Sequence, residues 1–452
     1  PYTTLFRSTT IGLVGHKSIP LYNQAEAFRF KWHTVYTNMM PGGAFRGYGA
    51  TQGQFALESA VNELAIKLGM DASLIREKNM LRFGEIMRGY YGEPLTSCAL
   101  DRCIVRGKEM IGWDEKYPMK KVSDTKVRGV GMAIAMQGSG ISNVDVSSAE
   151  IKLNDGGYYT LKIGATDMGT GCDTILTQIA AETLLADMDK FIVAQVDTDV
   201  SPFDPGSYAS SSTYVAGMAV LNAATSLKNK IIYEGARIID PEKYGDREAH
   251  FNPKKFFFTG EKVIEVSTSR SVTLDEIAIG CAGGIEGNYL NGTGFYSSPT
   301  SPPPLMAGFA EVEVDLETGK YELLDYVAVV DCGTVINANL ARVQTEGGIA
   351  QGIGLAMYED VQYSDKGKMM TDSFMQYKIP SRVDFSKIRV DFESSYEPSG
   401  PYGAKSIGEI VVNTPAPAIA DAIRNATGVN MRSLPITPEK VFMALQEKNK
   451  NS

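Results

Sequence analysis

The stretch that decides the fold is Ala310–Thr334, AEVEVDLETGKYELLDYVAVVDCGT. Val312 and Val314 alternate with acidic residues, Glu317-Thr318-Gly319 supplies a turn, and a second strand follows, which together read as a β-hairpin. A second stretch, AEIKLNDGGYYTLKIGATDMGTG from Ala149, has the same grammar: alternating Ile151 and Leu153, a turn at Asp155-Gly156-Gly157, then a strand. Each hairpin runs into a glycine-containing loop and a segment of helical spacing, Thr174 to Leu185 in one case and Gln344 to Tyr358 in the other. The pattern predicts an internal pseudo-repeat and an α+β fold of mixed sheets with packed helices.

Working outward, Phe55, Leu57, Val61, Leu64, Ala65 and Leu68 recur at three- and four-residue spacing and stop at Gly69, predicting a helix over Thr51–Leu68. Pro415 to Thr427 starts on a proline, carries Ile419, Ala422 and Ile423, and stops at Gly428, predicting another. Ser297 to Pro304 (SSPTSPPP) reads as a proline-rich loop. Residues 86–127 mix glycine, proline and charge without sustained period and suit a connection between domains. That places the tail of one domain at 9–85, a second domain at 128–446 and a polar tail at 447–452. Pro1 to Ser8 (PYTTLFRS) reads as the in-frame translation of a sequencing adapter, so residues 1–8 are expected to be a non-native leader.

The 452 residues are enough for two or three cores, and 43% hydrophobic against 21% charged residues excludes a disordered chain. A net charge of -9 disfavours a nucleic-acid or anionic-membrane surface, and no apolar run is long enough to span a membrane. Cys98, Cys103, Cys172, Cys281 and Cys332 form no CxxC pair, which argues against iron–sulfur or structural zinc sites and for a reducing, cytoplasmic setting. His16, His33 and His250 lack metal-ligand spacing. The chemistry therefore falls to carboxylates, backbone groups or a cofactor.

Four glycine-rich, side-chain-poor stretches stand out: GGAFRGYG (Gly42–Gly49), GATDMGTG (Gly164–Gly171), PGSYASSST (Pro205–Thr213) and GGIAQGIG (Gly347–Gly354). Taken singly, each is more often a tight turn or a close helix contact than a ligand cradle. Four in one chain point to a large, polar, phosphate-bearing cofactor approached by backbone. A fifth motif, GAKSIGE (Gly403–Glu409), presents a carboxylate between glycines and ahead of a helix. Glu409 reads either as a general base or as a salt-bridged surface residue.

In this order the motifs resemble the molybdenum-binding chain of the xanthine dehydrogenase and aldehyde oxidase family. GGAFRGYG is similar to its A-F-R-G-[FY]-G loop, GATDMGTG to its G-G-T-E-M-G-Q-G loop, and GSYASSST takes the place of its Ser/Ala-rich loop. QTEGGIAQGIG is similar to its Q-x-E-G-x-x-x-Q-G-x-G helix start, GAKSIGE to its G-x-K-x-x-G-E signature, and RSLPITPEKV (Arg432–Val441) to its closing segment. The resemblance covers nearly everything after residue 9.

What it implies is specific. The fold would be that of the family's molybdopterin-binding domains, with molybdenum held by the pterin and no metal ligand from side chains. The cofactor would be molybdopterin, in its cytosine dinucleotide form, and the reaction hydroxylation of an electron-poor carbon with water as oxygen source. Glu409 falls on the catalytic base. Phe45, Arg46 and Gly47 would lie beside the metal's ligands, and Tyr48 would pack on a flat heteroaromatic substrate. Gly169, Thr170 and Gly171 would face the pterin. Ser207, Tyr208, Ala209, Ser210, Ser211 and Ser212 would serve its phosphates or dinucleotide, with Lys405 nearby, and Gln344 and Gln351 would offer amides to the pterin. Thr170 departs from the family's Gln, and Tyr208 from a small residue.

The family's first molybdenum loop and upstream carboxylate would precede Thr9, so the chain reads as the C-terminal portion of a longer subunit. Its 2Fe–2S and FAD cofactors are expected on partner iron–sulfur and FAD subunits of a hetero-oligomer. A purine of xanthine or hypoxanthine type is the expected substrate. MQGSG (Met136–Gly140) and the GTG variant keep nicotinate or another N-heterocycle open, and an aldehyde oxidoreductase remains in the same class. An inactive cofactor-binding or assembly module is the alternative from a different class. A carbon monoxide dehydrogenase is disfavoured because the copper-binding cysteine loop is missing beside GGAFRGYG.

Overall fold

A computed structural model describes residues 11–38, 43–244, 251–282, 289–385 and 387–451. The expected leader at 1–8, Gly42 of GGAFRGYG and Ser452 lie outside the described residues. The strands are β1 (Met119–Lys121), β2 (Lys126–Met136), β3 (Val146–Leu153), β4 (Tyr159–Ile163), β5 (Phe191–Val193), β6 (Phe256–Phe258), β7 (Lys262–Glu265), β8 (Ser271–Thr273), β9 (Asn291–Ser297), β10 (Leu305–Asp315), β11 (Tyr321–Asp331) and β12 (Ile388–Phe392). The longer helices are α1 (Ala50–Lys67), α2 (Ala72–Asn79), α3 (Leu100–Ile111), α4 (Cys172–Leu184), α5 (Gly217–Ile239), α6 (Leu274–Ala282), α7 (Ala338–Met357), α8 (Pro415–Thr427) and α9 (Pro438–Asn451). Two compact units share them: one draws on the chain up to 138, 302–397 and 407 onward, the other on 139–301 and 398–406. The fold class is α+β with mixed sheets, as expected.

In the first unit a five-stranded sheet runs β1-β2-β10-β11-β12, with β10 antiparallel to both neighbours and β11 parallel to β12. Side chains alternate between its faces. Met306, Ala310, Val312 and Val314 join a core with Ile349 and Ile353 of α7, Ile419 and Ile423 of α8, and Val441 of α9. Leu305, Ala307 and Phe309 join a second core with Leu100, Ile104 and Ile111 of α3. Burial on both faces explains the unbroken apolar run Tyr326–Val330.

The expected connection at 86–127 is therefore corrected in part. It contains α3, whose Leu100, Cys103, Ile104, Gly107 and Ile111 form its buried face. Glycine and cysteine at two of those five positions hid the helical period from an apolar count. The expected polar tail at 447–452 is likewise helical through Asn451. The compact units part at 138/139 rather than within 86–127.

In the second unit the order is β5-β4-β3-β9, with β3 antiparallel to β4 and β9, and β4 parallel to β5. Buried and half-exposed residues alternate strictly along β3 and β4, because α5 packs on the sheet and the other face is open. β6, β7 and β8 make a separate small antiparallel sheet. The two units thus repeat one plan: an outer antiparallel strand, a hairpin, a helix, then a strand parallel to the hairpin's second arm. The pseudo-repeat expected from the two hairpins is present at the level of strand order and direction.

Among the described residues, one edge of β2 lacks a strand neighbour beyond Gly129, where the pairing with β1 stops. Side chains replace it. Asn425 Nδ2 donates to Val130 O at 2.7 Å, Met132 N to Asp421 Oδ2 at 3.0 Å, and Ile134 N to Glu58 Oε2 at 2.7 Å. Asn413 Nδ2 reaches Met136 O at 3.4 Å. Glu58 of α1 is paired with Arg76 of α2 at 2.8 Å, both fully buried, and Arg76 Nη2 donates to Asn62 Oδ1 at 2.6 Å. A buried backbone edge demands such partners, since each unmet N–H costs about 1–3 kcal/mol.

Two outcomes follow. Arg76→Met leaves Glu58 as an uncompensated buried charge and should lower unfolding free energy by about 3–5 kcal/mol; a denaturant midpoint moved by less than about 1 kcal/mol would contradict the assignment. Burial, opposed by the Arg76 charge and the Met132 N–H, pushes the Asp421 carboxyl from 3.8 up to about 7. A group raised on folding stabilises in its protonated form, fully below pH 3.8 and progressively less as pH climbs through about 7. Denaturation at pH 5 and pH 8 should therefore show a loss in the parent chain that Asp421→Asn reduces. An equal loss in both would refute it.

Candidate cofactor site

The first unit gathers residues from four distant segments. The loop ahead of α1 turns tightly, with Tyr48 N donating to Phe45 O and Ala50 N to Gly47 O. The turn sends Arg46 across to α7 and to the 408–413 segment. Its Nε donates to Gly408 O at 2.5 Å, Nη1 to Gln351 Oε1 at 3.2 Å, and Nη2 to Gln344 O and Oε1 at 3.2 and 3.1 Å. Burial lowers the Arg46 guanidinium from its ordinary value and the Glu409 charge opposes that shift, so the cation is held by its surroundings. Glu409 is half-buried, and its Oε2 accepts from Gln137 Nε2 at 3.1 Å.

Two glycines are required by this crossing. A Cβ on Gly47, whose φ is +86°, would lie 2.3 Å from Thr51 Oγ1 and 2.7 Å from Asn413 Oδ1. A Cβ on Gly348 would lie 2.1 Å from Val411 Cγ2. The stretch GGIAQGIG lies inside α7, within the helical segment expected over Gln344 to Tyr358; the helix begins six residues before Gln344, so QTEGGIAQGIG is not its start. Its backbone N–H groups belong to the helix ladder, and Gly348 is there for close packing.

Among the expected site residues, Arg46, Gln344, Gln351 and Glu409 thus meet in one hydrogen-bonded and charge-coupled set. Gly47 is packed against its support, Phe45 is half exposed at the turn, and Tyr48 follows partly buried. Sequence reasoning missed Gln137, Asn413 and Thr51. The available signal is Gln137 itself, an amide ending the apolar strand VGMAIAM and the second residue of MQGSG.

The other expected residues belong to the second unit. Asp167 Oδ1 accepts from the N–H groups of Gly169 and Gly171, so those two donors turn inward. Burial pushes the Cys172 thiol beside this loop up to about 12, keeping it neutral. Ala209 and Ser210 are both left-handed, at φ 52° and 58°. Tyr208 donates to Asp145 Oδ1 at 2.8 Å, and burial together with that carboxylate raises its phenol above the ordinary range. Ser211 Oγ donates to Gly206 O, Ser207 and Ser212 are partly exposed, Thr170 is half-buried, and Lys405 is 2% exposed.

The residues of the first unit fit a pterin. Gln344, Gly347 and Gln351 occupy one face of α7 at three- and four-residue spacing, and among the described residues a Cβ on Gly347 would meet nothing within 4 Å. Arg46 holds both amide oxygens, and the two glutamines flank the exposed Gly347.

Two molybdopterin cofactor-binding domains match the chain, one over residues 2–80 and one over residues 106–386. The chain belongs to the molybdopterin cofactor-binding family. It is 36% identical over 453 residues to the probable hypoxanthine oxidase XdhD of Escherichia coli strain K12, covering 95% of this chain and 45% of that protein. It is 31% identical over 436 residues to that strain's putative xanthine dehydrogenase molybdenum-binding subunit XdhA, covering 95% and 56%. The chain therefore spans about half the length of the curated relatives it matches. The crystal structure of a Cu,Mo-CO dehydrogenase superposes with a TM-score of 0.81 at 23% identity over 92% of this chain and 55% of that one, a likeness of fold.

Gly348→Ala should cost about 1–3 kcal/mol through overpacking against Val411, read as a lowered denaturant midpoint. An unchanged midpoint would show that the helix and the 408–413 segment are not in the contact described.

Proposed function

We propose that this chain forms the cofactor-holding part of a molybdenum hydroxylase whose substrate is a purine of xanthine or hypoxanthine type. The observation that carries the reading is the Glu409 carboxylate, held by Gln137 and beside the Arg46–Gln344–Gln351 set. The names of the two Escherichia coli relatives, a probable hypoxanthine oxidase and a putative xanthine dehydrogenase subunit, support the substrate class. A molybdopterin group, when bound, supplies the oxidising centre for hydroxylation with oxygen from water.

The chain's own residues do the rest. Gln344 and Gln351 donate amide N–H to the pterin, with Arg46 fixing both orientations. Glu409 takes up at Oε1 the proton released when water supplies oxygen to the substrate carbon, while Oε2 stays on Gln137. Phe45 and Tyr48 flank a flat heteroaromatic ring, Tyr48 by stacking. By the same resemblance, Gly169, Thr170 and Gly171 face the pterin, and Ser207 to Ser212, with Lys405, serve its phosphates or cytosine dinucleotide. Electrons leave through partner iron–sulfur and FAD subunits, and the complex works in the cytoplasm. Among the described residues no helix is long and apolar enough to cross a membrane.

The test is Glu409→Gln in the enzyme purified with its partner chains. Molybdenum and pterin content should stay at parent level while turnover of xanthine or hypoxanthine falls about 10²–10⁴-fold. Parent-level turnover in the variant would overturn the assignment of the base. A parent enzyme that oxidises nicotinate or aldehydes and no purine would overturn the substrate.

A further inference from the structure

Gln137 is fully buried at the end of β2, yet its amide is committed at both ends. Its Nε2 donates to Glu409 Oε2 at 3.1 Å, and its Oε1 accepts from Asn413 Nδ2 at 3.4 Å. Asn413 is itself buried, and its Oδ1 accepts from Thr51 Oγ1 at 3.0 Å. Thr51 sits in the first turn of α1, immediately after the loop that delivers Arg46. One chain of hydrogen bonds therefore runs Thr51, Asn413, Gln137, Glu409 and ties three separate segments to a single carboxylate oxygen.

We propose that Gln137 is a positioning residue that fixes the Glu409 carboxylate through Oε2, with Asn413 and Thr51 setting the direction of its amide. This rests on the reading of Glu409 as the base. An amide can rotate to present either its oxygen or its nitrogen, and the choice matters here. Asn413 Nδ2 occupies the Gln137 oxygen, which obliges the nitrogen to face Glu409. Asn413 is oriented in turn, because Thr51 donates to its oxygen and Met136 O accepts from its nitrogen. The charged group facing Glu409 from the loop ahead of α1 is Arg46, whose hydrogen bonds go to Gly408, Gln344 and Gln351, while Gln137 holds the carboxylate at Oε2. The steric demand at Gly47 belongs to the same device: a Cβ there would strike both Thr51 Oγ1 and Asn413 Oδ1.

The experiment compares Gln137→Leu, Thr51→Val and Glu409→Gln in the enzyme purified with its partner chains. Gln137→Leu keeps volume and removes the donor. Its kcat should fall about 10–10²-fold with KM within about twofold. Thr51→Val, at the far end and less disruptive to folding, should lower kcat by less, again with KM held. A second readout needs no turnover: in infrared difference spectra of the cofactor-free chain, the Glu409 carboxylate stretch, assigned by its loss in Glu409→Gln, should shift in frequency in Gln137→Leu because the donated N–H is gone. If Glu409→Gln abolishes turnover while kcat and the band are unchanged in both other variants, the positioning role is overturned and the base assignment stands. If Glu409→Gln keeps parent turnover, the base assignment itself is overturned. A variant that only melts earlier, with kcat and band unmoved, also overturns the positioning role.

Discussion

The first unit depends on how one unpaired strand edge is satisfied. β2 is hydrogen-bonded to β10 along its whole length, but β1 covers only three residues of its other side. From Val130 to Met136 that side is met by Asn425, Asp421, Glu58 and Asn413, which come from α1, from α8 and from the turn before it. Such a ladder of side chains fixes helices to a strand at hydrogen-bond distance, with a directionality that apolar packing lacks. Its cost is a buried charge cluster, compensated by pairing Glu58 with Arg76. The ladder ends at Met136, and the next residue is Gln137. The strand edge and the candidate site are consecutive parts of one hydrogen-bonded track.

That continuity gives the glycine-rich motifs a physical reading. Gly47 and Gly348 let the Arg46 turn, the interior of α7 and the 408–413 segment approach within van der Waals contact. Arg46 then spans the gap with four hydrogen bonds, and the exposed shelf at Gly347 lies between the two glutamines it orients. The face that results, two glutamine amides beside an exposed glycine, is suited to a flat heterocycle with alternating donors and acceptors.

The hairpins were legible because alternation and turn chemistry are local, and α8 because proline and glycine mark its ends. The parallel strands β5 and β12, three and five residues long, were not, since neither has room for a period. α3 was hidden by the small residues on its buried face. Arg46, Gln344, Gln351 and Glu409 were legible as motif positions, but their mutual bonding was not, because it joins residues 298 to 363 positions apart in the chain. Gln137 escaped for a related reason: a buried amide has no sequence signature until its partner on another segment is known.

Native-state hydrogen exchange at the amides of Met132 and Ile134 tests the central claim most directly. If Asp421 and Glu58 stand in for the missing strand, both amides should exchange as slowly as those β2 pairs with β10, at the limit set by global unfolding. Glu58→Ala should then speed Ile134 exchange by orders of magnitude more than that of the β10-paired amides. Fast exchange at Met132 and Ile134 in the parent chain, at the rate of an open strand edge, would contradict the account.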